Sequence, residues 1–493
     1  MIFDDRKAGV LLHPTSLPGG LQNGEFGEDA YHFIDFIAEC GFKLWQVLPM
    51  GPTHDDNSPY QCLSAHAGDA KLISIDQLLS KSWIEESEYQ SFQDEVFSKL
   101  EYNKTICLKF LLSQFDKSAD DFEKQSFLDF QQDQNYWLED YALFVVLREK
   151  YLHQSWTCWP NSLRDREPVA LDEARRQYYD AIRLIEFEQF VFFQQWLALK
   201  KYANDKGIEL FGDIPLFVAH DSSDVWANRE IFKLDEEGHS KFIAGVPPDY
   251  FSETGQRWGN PLYDWPAIAK DNYQWWIQRL GTQFELFDLL RIDHFRGLEA
   301  YWEIPAEHET AINGYWVEGP GEAFFDAIEQ KLGRHLPLVA EDLGFITEGV
   351  HGLRSRAQLP GMKILHFAFD SDALNPYLPH NHEIQSVVYT GTHDNDTTVG
   401  WYDSLNDDVK KKLSNYYGKS EEVLPWLLIR SAFASVACLA VVPMQDLMEL
   451  DSSHRMNIPG TVEGNWNWRF QWANVNKAQI REKIRDYVDL YAR

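Results

Sequence analysis

The chain is poor in cysteine and in basic residues, and both shortages restrict what it can be. Its 493 residues include five cysteines, at widely separated positions and with no CxxC pair. An odd, scattered set argues against a disulfide framework or a cysteine zinc site and is typical of a reducing compartment. Only 45 Lys and Arg stand against 77 Asp and Glu, which leaves a net charge of −32. Such a surface repels phosphate backbones and anionic lipid, so we expect neither nucleic acid nor a membrane as partner.

Long hydrophobic runs are also missing. The N-terminus, MIFDDRKAGV, has no basic segment followed by an apolar run, so the sequence shows no signal peptide. The most apolar charge-free stretch lies between Arg430 and Asp446 and is interrupted by Pro443. It is shorter than the roughly 18 residues that a membrane-spanning helix needs. We therefore expect a cytoplasmic protein.

Apolar and aromatic residues are abundant, at 44% and 15% of the chain. That is ample for a large core, and the length exceeds that of an ordinary single domain. One oversized barrel with insertions and an arrangement of two to three domains both fit this length.

Eight short apolar runs, most of them followed by a helical pattern, recur along the chain and end in polar or glycine-rich residues. Runs that are apolar on both faces are typical of parallel strands covered on both sides. Their alternation with helices predicts an α/β fold, a (β/α)8 TIM barrel, because the competing doubly wound sheet should show a GxGxxG turn, which is absent. The runs are Ala8–Leu12, Leu44–Leu48, Ile208–Phe211, Phe287–Ile292, Leu336–Ala340, Lys363–Phe369, Gln385–Tyr389 and Cys438–Val442.

The surplus length must lie in insertions, since a barrel of this class needs only about 250 residues. Residues 64–180 are rich in Glu, Gln, Lys, Phe and Trp at helical spacing, which predicts a mainly helical insertion after the second strand. Residues 1–63 would then begin the barrel and residues 181–493 would complete it. A polar, glycine- and proline-rich stretch at 244–265 predicts a further, loop-like insertion.

Acidic residues follow five of the eight predicted strands, at the end where barrel enzymes build their active sites. Gathered like charges cost free energy, so a need for stability does not explain this cluster. It indicates a catalytic site. The residues are Asp213, Asp293, Glu341, Asp370 and Asp394, with His13, Tyr60, His294 and His393 at similar positions.

Two carboxylates that face one substrate atom are the apparatus of glycoside transfer. In the stretch LLRIDHFRG, the alternation of a strand places Arg291 and Asp293 on one face, where the guanidinium keeps the carboxylate ionised. Asp293 is therefore the candidate nucleophile, and Glu341, one strand over, the candidate acid/base with a raised pKa. Asp394 is the candidate stabiliser of positive charge at the transition state.

Each of these assignments has a structural alternative. Arg291 and Asp293 could form an ordinary ion pair, since structural networks also contain paired carboxylates. Glu341 and its neighbour could face the N-terminus of a helix and interact with its dipole. Asp394 could be a turn residue that His393 merely orients.

A catalytic metal is a further alternative for a barrel with Asp, Glu and His at its strand ends. Such sites usually contain clustered histidines, as in HxH. The chain has one HxH, His380 and His382, but it lies in a proline- and asparagine-rich loop rather than at a predicted strand end. We therefore expect no metal ion in the site.

Ten stretches, spread in order over nearly the whole chain, carry a more specific signal. They are HPTSLPGG (13–20), SPYQ (58–61), GDIPLFV (212–218), PPDYFSETGQRWGNPLYDW (247–265), RIDHFRG (291–297), AEDLG (340–344), PGMKILHFAFD (360–370), TGTHDNDTTVGW (390–401), PMQDL (443–447) and RMNIPGTVEGNWNWR (455–469). In these stretches the chain resembles the amylomaltases, which are 4-α-glucanotransferases (disproportionating enzymes) of the wider α-amylase superfamily.

The resemblance implies that Asp293 is the nucleophile, Glu341 the acid/base and Asp394 the transition-state stabiliser. It also implies that residues 244–265 hold the family's loop over the active site, whose aromatic residues suit a lid. The family needs no cofactor, so none is expected. The residues implied to contact bound glucan are Tyr60, Asp213, Asp249, Tyr250, Phe251, Gln256, Trp258, Arg291, His294, Asp370, His393 and Asn465.

Two positions depart from the family pattern. His366 stands where the family leads us to expect Gln, and Arg257 stands where it leads us to expect Leu. Either change would alter sugar contacts or loop packing, and neither touches the three carboxyl groups.

These features together predict a 4-α-glucanotransferase that moves α-1,4-glucan segments between maltodextrins derived from starch or glycogen. The reaction would be a retaining double displacement through a covalent glucosyl-enzyme, with the carboxyl groups of Asp293 and Glu341 roughly 5 to 5.5 Å apart. An α-glucan hydrolase of the same superfamily is the alternative, because water can resolve the same intermediate. A non-catalytic glucan-binding protein is a third hypothesis, against which the three intact carboxyl groups speak.

Overall fold

A computed structural model of the chain describes residues 3, 5–20, 23–98, 103–248, 252–418, 420 and 422–493. Twelve strands lie in these residues and form two sheets. The strands are β1 (Lys7–Leu11), β2 (Leu44–Gln46), β3 (Glu209–Pro215), β4 (Phe242–Val246), β5 (Gln256–Pro261), β6 (Leu289–Asp293), β7 (Ala300–Pro305), β8 (Tyr315–Glu318), β9 (Leu338–Ala340), β10 (Gly361–Ile364), β11 (Ser386–Tyr389) and β12 (Leu439–Pro443).

Eight of these strands pair in parallel in the order β10-β11-β12-β1-β2-β3-β6-β9. The two end strands also meet, because the N–H group of Ala340 in β9 donates to the carbonyl of Pro360, just before β10, at 2.9 Å. The sheet therefore closes into a TIM barrel, and the predicted fold is confirmed. Each of the eight predicted strands overlaps one barrel strand, although β3 continues to Pro215 and β10 ends at Ile364, where a 3₁₀ turn follows.

The α-helices of the described residues surround the barrel or lie in the segments between its strands. Helix α1 ends at Gly41, whose φ of 94° is the left-handed conformation that glycine adopts without strain. The helices are α1 (Glu28–Cys40), α2 (Ile75–Leu79), α3 (Glu86–Ser98), α4 (Lys104–Ser118), α5 (Asp121–Asp133), α6 (Asn135–Lys150), α7 (Asn161–Arg164), α8 (Pro168–Gln177), α9 (Tyr179–Asp205), α10 (Ser223–Ala227), α11 (Trp265–Lys270), α12 (Gln274–Leu286), α13 (Gly321–Leu332), α14 (Glu348–Arg356), α15 (Thr398–Ser404), α16 (Asp407–Tyr417), α17 (Trp426–Ala434), α18 (Met444–Leu447) and α19 (Lys477–Tyr491).

The long helix α9 joins the segment between β2 and β3 to the barrel. Trp196, fully buried, donates from its indole nitrogen to the carbonyl of Leu286 at 2.8 Å. The amide of Gln189 forms hydrogen bonds of 2.8 and 2.9 Å with the N–H and carbonyl of Gly68. Removing a buried Trp of this kind typically costs about 3–5 kcal/mol, so these contacts fix the helical segment against the barrel wall.

A second sheet, antiparallel and of order β5-β4-β7-β8, was not predicted. Strand β5 and most of β4 fall within residues 244–265, whose composition is typical of a loop. The period of two is hidden there because the pairing shifts between Ile243 and Gly245, and because Gly and Pro occupy several positions. This sheet carries Gln256 and Trp258 on β5.

Among the residues that the structure describes, none of the helices has an apolar stretch long enough to cross a membrane.

Candidate active site

Two carboxylates share one buried guanidinium at the end of β6. Nη1 of Arg291 donates to Oδ2 of Asp213 at 2.7 Å, and Nη2 donates to Oδ1 of Asp293 at 2.6 Å. The register explains this, because Asp213 on β3 pairs directly with Arg291, and strand alternation brings Asp293 to the same side. The Asp293 side chain is 30% exposed, whereas that of Asp213 is 0% exposed. Arg291 therefore presents Asp293 to the cleft and covers Asp213.

Tyr60 covers the other side of Asp213. Its hydroxyl donates to Oδ2 of Asp213 at 2.7 Å. Its ring stacks on His393, with centroids 5.1 Å apart and an interplanar angle of 17°, and meets Trp466 at 5.9 Å. Asp213, a predicted sugar contact, is thus placed beneath Arg291 and Tyr60, with its side chain covered by them.

Glu341 lies beside Asp293, one strand over. Strands β6 and β9 pair with Ile292 opposite Ala340. Asp293 and Glu341 are the residues that directly follow this pair, so they lie at the same level. Oε2 of Glu341 accepts from the N–H of His294 at 2.7 Å, and Oε1 accepts from the N–H of Leu343 at 2.9 Å.

The environment of Glu341 favours its protonated form. Burial and the nearby negative charge of Asp293 raise the pKa of Glu341 to about 7, against the opposing effects of Arg291 and the two backbone N–H groups. A carboxyl group with such a pKa carries a proton in a large fraction of molecules near neutral pH, as a general acid must. The helix dipole does not account for this residue, because α14 begins only at Glu348.

His294 connects the two candidate catalytic residues. Its φ of 56° lies in the left-handed region, which turns the chain out of β6 and directs its N–H at Glu341. Its ring meets Trp258 edge to face at 4.7 Å, and the indole of Trp258 donates to Oε1 of Gln256 at 3.0 Å. Burial lowers the pKa of His294 to about 4, so the imidazole is neutral near pH 7. Strand β5 of the second sheet thus places Trp258 against His294 at the barrel rim, with Gln256 bonded to Trp258.

Asp394 lies on the loop after β11 with its side chain 48% exposed. Its Oδ1 accepts from the amide of Asn457 at 2.7 Å and lies 3.4 Å from Nε2 of His393. Burial would raise the pKa of Asp394, but His393, Asn457 and Arg291 together hold it well below the usual range. The carboxylate therefore stays ionised, and the charge of Arg291 contributes to this.

Three predicted contacts lie outside the described residues: Asp249, Tyr250 and Phe251. Asp370, another predicted contact, does lie in the described residues. Its side chain is exposed beyond the end of β10 and accepts a hydrogen bond from the amide of Asn375 at 2.8 Å. Its charge, with those of Asp342 and Glu341, adds to burial in raising the pKa of Tyr377.

The side chain of Asn465, a predicted contact, bonds within its own loop and does not face the cleft. The buried amide accepts from the N–H of Ile458 at 2.9 Å and donates to the carbonyl and hydroxyl of Thr461 at 2.9 and 3.0 Å. All of these partners lie in its own loop, so Asn465 shapes the loop instead. The next residue, Trp466, has a φ of 63° and meets both Tyr60 and His393.

Trp466 and Asn457 are the site residues that the sequence analysis missed. Both lie in the stretch RMNIPGTVEGNWNWR, which is part of the family resemblance. An aromatic residue in that stretch, next to a predicted contact, is the signal that would have pointed to Trp466. Asn457 has no comparable signal, because only the folded chain brings it to Asp394.

The two histidines of the HxH pair are engaged elsewhere. His382 bonds the hydroxyl of Ser435 and the carbonyl of Tyr377 at 2.7 and 2.9 Å, and Nδ1 of His380 lies 2.9 Å from the hydroxyl of Tyr416. Within the described ranges, no group of three or more His, Cys, Asp or Glu side chains is placed to hold a metal ion.

Comparison with known proteins gives matches over nearly the whole chain. The family model described as 4-alpha-glucanotransferase matches residues 12–475. The 4-alpha-glucanotransferase of Synechocystis sp. is 46% identical over 483 residues, or 96% of each chain. That of Thermus thermophilus is 48% identical over 473 residues, or 94% of each chain. The solved structure of the amylomaltase from Streptococcus agalactiae in complex with acarbose is 37% identical, with a TM-score of 0.92 and 99% of both chains covered.

Proposed function

This chain belongs to the 4-alpha-glucanotransferase family, and we propose that it transfers α-1,4-glucan segments by a retaining double displacement at Asp293, Glu341 and Asp394. One observation carries the proposal. Asp293 at the end of β6 and Glu341 directly after β9 lie at the same level on adjacent barrel strands. Arg291 binds one carboxylate oxygen of Asp293, and burial together with the charge of Asp293 raises the pKa of Glu341 to about 7. A carboxylate bound by a guanidinium beside a carboxyl group with a raised pKa is what the two roles of the reaction require.

In the first step Asp293 is the nucleophile. Arg291 binds its Oδ1, which leaves Oδ2 to form a bond with the anomeric carbon of the donor. Glu341 gives its proton to the glycosidic oxygen as the bond from that oxygen to the anomeric carbon breaks. The reducing-end part of the donor departs, and the remaining glucan is held as an ester on Asp293.

In the second step the 4-hydroxyl of an acceptor glucan attacks the same carbon. Glu341, now ionised, takes the hydroxyl proton while the ester bond to Asp293 breaks. The product is an α-1,4-glucan lengthened by the donor segment, and both carboxyl groups return to their starting states. The cycle balances in protons with these two groups alone, so the proposal includes no cofactor.

Asp394 stabilises the positive charge that develops on the sugar in both steps. It is ionised, half-exposed and directed at the cleft, and a preorganised charge of this kind costs no reorganisation during the reaction. Tyr60, His393 and Trp466 form an aromatic wall beside it, suited to the apolar faces of glucose units.

The remaining predicted contacts take two roles in the proposal. The leaving or accepting glucan would contact His294, Gln256, Trp258 and Asp370. Asp213 holds Arg291 and Tyr60, and Asn465 holds the loop that carries Trp466. We also propose that Asp249, Tyr250 and Phe251 contact bound glucan.

The proposed substrates are maltodextrins such as those derived from starch or glycogen. The S. agalactiae relative is solved with acarbose, which supports a cleft that takes several linked sugar units. The acidic surface, with a net charge of −32, suits such neutral chains.

Incubation of the protein with maltotriose tests the proposal. We expect glucose together with a ladder of longer maltodextrins, and no products from a matched Asp293→Ala preparation. Glucose and maltose without lengthened products would contradict transfer and identify an α-glucan hydrolase. Full activity of the Asp293→Ala protein would remove the nucleophile assignment.

A further inference from the structure

The loop that carries Asp394 is anchored at both ends by one buried carboxylate. Asp446, in the short helix α18 after β12, is 1% exposed. Its Oδ2 accepts from the hydroxyls of Thr390 and Thr398 at 2.6 and 2.7 Å, and its Oδ1 accepts from the N–H of Thr398 at 2.8 Å. Both threonines are completely buried.

These two threonines mark the limits of the loop. Thr390 directly follows the last residue of β11, and Thr398 is the first residue of α15. His393 and Asp394 lie between them. Since β12 is the neighbour of β11 in the barrel, the carboxylate that closes the loop comes from the helix that follows the neighbouring strand and not from the loop itself.

The inside of the loop is equally well bonded. The N–H and hydroxyl of Thr392 donate to Oδ1 of Asn395 at 2.8 and 2.9 Å, and the N–H of Asp394 donates back to the hydroxyl of Thr392 at 3.3 Å. These hydrogen bonds join the residues of the loop to one another, and Asp446 joins both ends of the loop to the segment after β12.

His366, the departure from the family pattern, extends this network. Its Nε2 lies 3.0 Å from the hydroxyl oxygen of Thr398, and its ring stacks on Trp401 at 4.5 Å and 8°. Because the Thr398 hydroxyl gives its proton to Asp446, Nε2 of His366 must be the donor to that oxygen. The residue thus supports α15 rather than a sugar.

We propose that Asp446 is a positioning residue of the transfer reaction, which sets the place of Asp394 through Thr390 and Thr398. The inference rests on the proposed role of Asp394 as transition-state stabiliser. A displacement of about 1 Å at a group that must meet the transition state can cost about 100-fold in rate. A hydroxyl lost from this network should therefore lower kcat more than it changes KM.

Paired substitutions separate positioning from mere stability. Thr398→Val and Thr390→Val keep the side-chain shape and remove the hydroxyl, whereas Thr398→Ser and Thr390→Ser keep the hydroxyl. Thr282→Val is a matched control, because Thr282 is also buried and its hydroxyl bonds His66 and Tyr136 at 2.9 and 2.6 Å, away from the loop. Each protein is assayed for maltotriose disproportionation and for thermal unfolding.

We expect each of the two loop valine variants to lose about tenfold or more in kcat, with KM changed by less than about threefold. The serine variants should recover most of the loss. Thr282→Val should lower the unfolding temperature and leave kcat unchanged. In an Asp394→Asn background, Thr398→Val should cause little further loss, because both substitutions remove the same interaction.

The inference is overturned if the loop valine variants lose stability like Thr282→Val but keep kcat, or if the serine variants are as slow as the valine variants. A full multiplicative loss in the Asp394→Asn background would overturn it equally. Should Asp394→Asn itself retain wild-type activity, the proposed role of Asp394 fails and this inference fails with it. An inactive Asp394→Asn protein beside normal valine variants removes the inference alone.

Discussion

The two sides of the catalytic rim hold their carboxylates by different means. On one side, Asp293 and Glu341 emerge from the adjacent strands β6 and β9, and the pairing of those strands sets their separation. On the other side, Asp394 is the fifth residue after Tyr389, the end of β11, and depends on contacts with Asn457 and with the Asp446 network.

The difference shows that a barrel can supply catalytic precision in two ways. The hydrogen bonds between neighbouring strands fix the position of a strand end, so a catalytic side chain there needs little further support. A loop position has to be fixed by side chains from elsewhere in the chain. Substitutions of supporting residues should therefore be costly on the loop side, whereas on the strand side the cost should concentrate in the reacting residues.

The largest effect is expected at the strand side. Asp293→Asn removes the nucleophile while keeping its size, and we expect transfer activity to fall by about 10⁴-fold or more. Product formation from maltotriose, with circular dichroism as the check on folding, measures it. A folded variant with more than about a tenth of the wild-type rate would contradict the role of Asp293.

Glu341→Gln should cost about 10²- to 10⁴-fold, because proton donation to the leaving oxygen is lost. In the wild type the group must be protonated, so kcat/KM should fall as the pH rises past the Glu341 pKa of about 7. The residual activity of the variant should lack that alkaline decline. If the variant keeps the same decline, another group is the acid, and the assignment on this side of the rim is wrong.

On the loop side, Asn457→Ala removes the 2.7 Å hydrogen bond to Asp394 and leaves His393 as a partner. Hydrogen bonds to a charged group contribute about 1.5–3 kcal/mol, so we expect kcat to fall by roughly 10- to 100-fold. The unfolding temperature should change little, since the site is half-exposed. An unchanged kcat would mean that the loop fixes Asp394 without this support.

The smallest effect is expected at Tyr60, which touches both sides. Tyr60→Phe removes the 2.7 Å bond to Asp213 and keeps the stacking on His393. Because Asp213 is buried and keeps its 2.7 Å bond to Arg291, we expect only part of the lost hydrogen-bond energy to reach the transition state. A loss of about 1 kcal/mol corresponds to roughly fivefold in kcat/KM. Tyr60→Leu, which also loses the stacking, should be clearly worse. Equal losses in the two variants would show that the ring contributes nothing to the loop side.

The difference between strand-end and loop positions also explains which parts of the site the sequence could predict. The sequence predicted the positions of Asp213, Arg291, Asp293 and Glu341 because parallel strands end at one rim of a barrel. An apolar run followed by an acid therefore indicates both the strand and the rim position of the acid. The helix end at Gly41 was predicted for a similarly local reason.

The rest depends on contacts between distant parts of the chain. Asn457 and Asp394 are 63 residues apart in the sequence, and Asp446 and Thr390 are 56 apart. No local sequence pattern indicates either contact. The second sheet was missed because Gly245 and the shifted pairing of β4 and β5 break the alternation. Asn465 was predicted from the family resemblance, which does not show that its amide is used within its own loop.

The most direct measurement is to trap the covalent intermediate. An α-maltosyl fluoride needs no protonation of its leaving group, so Glu341→Gln should form the ester on Asp293 and resolve it slowly, because the base is missing. We predict that intact-mass analysis shows one added maltosyl group and that peptide mapping places it on Asp293. No adduct, or an adduct on another residue, would contradict the assignment of Asp293 and Glu341 as the pair that shares one sugar.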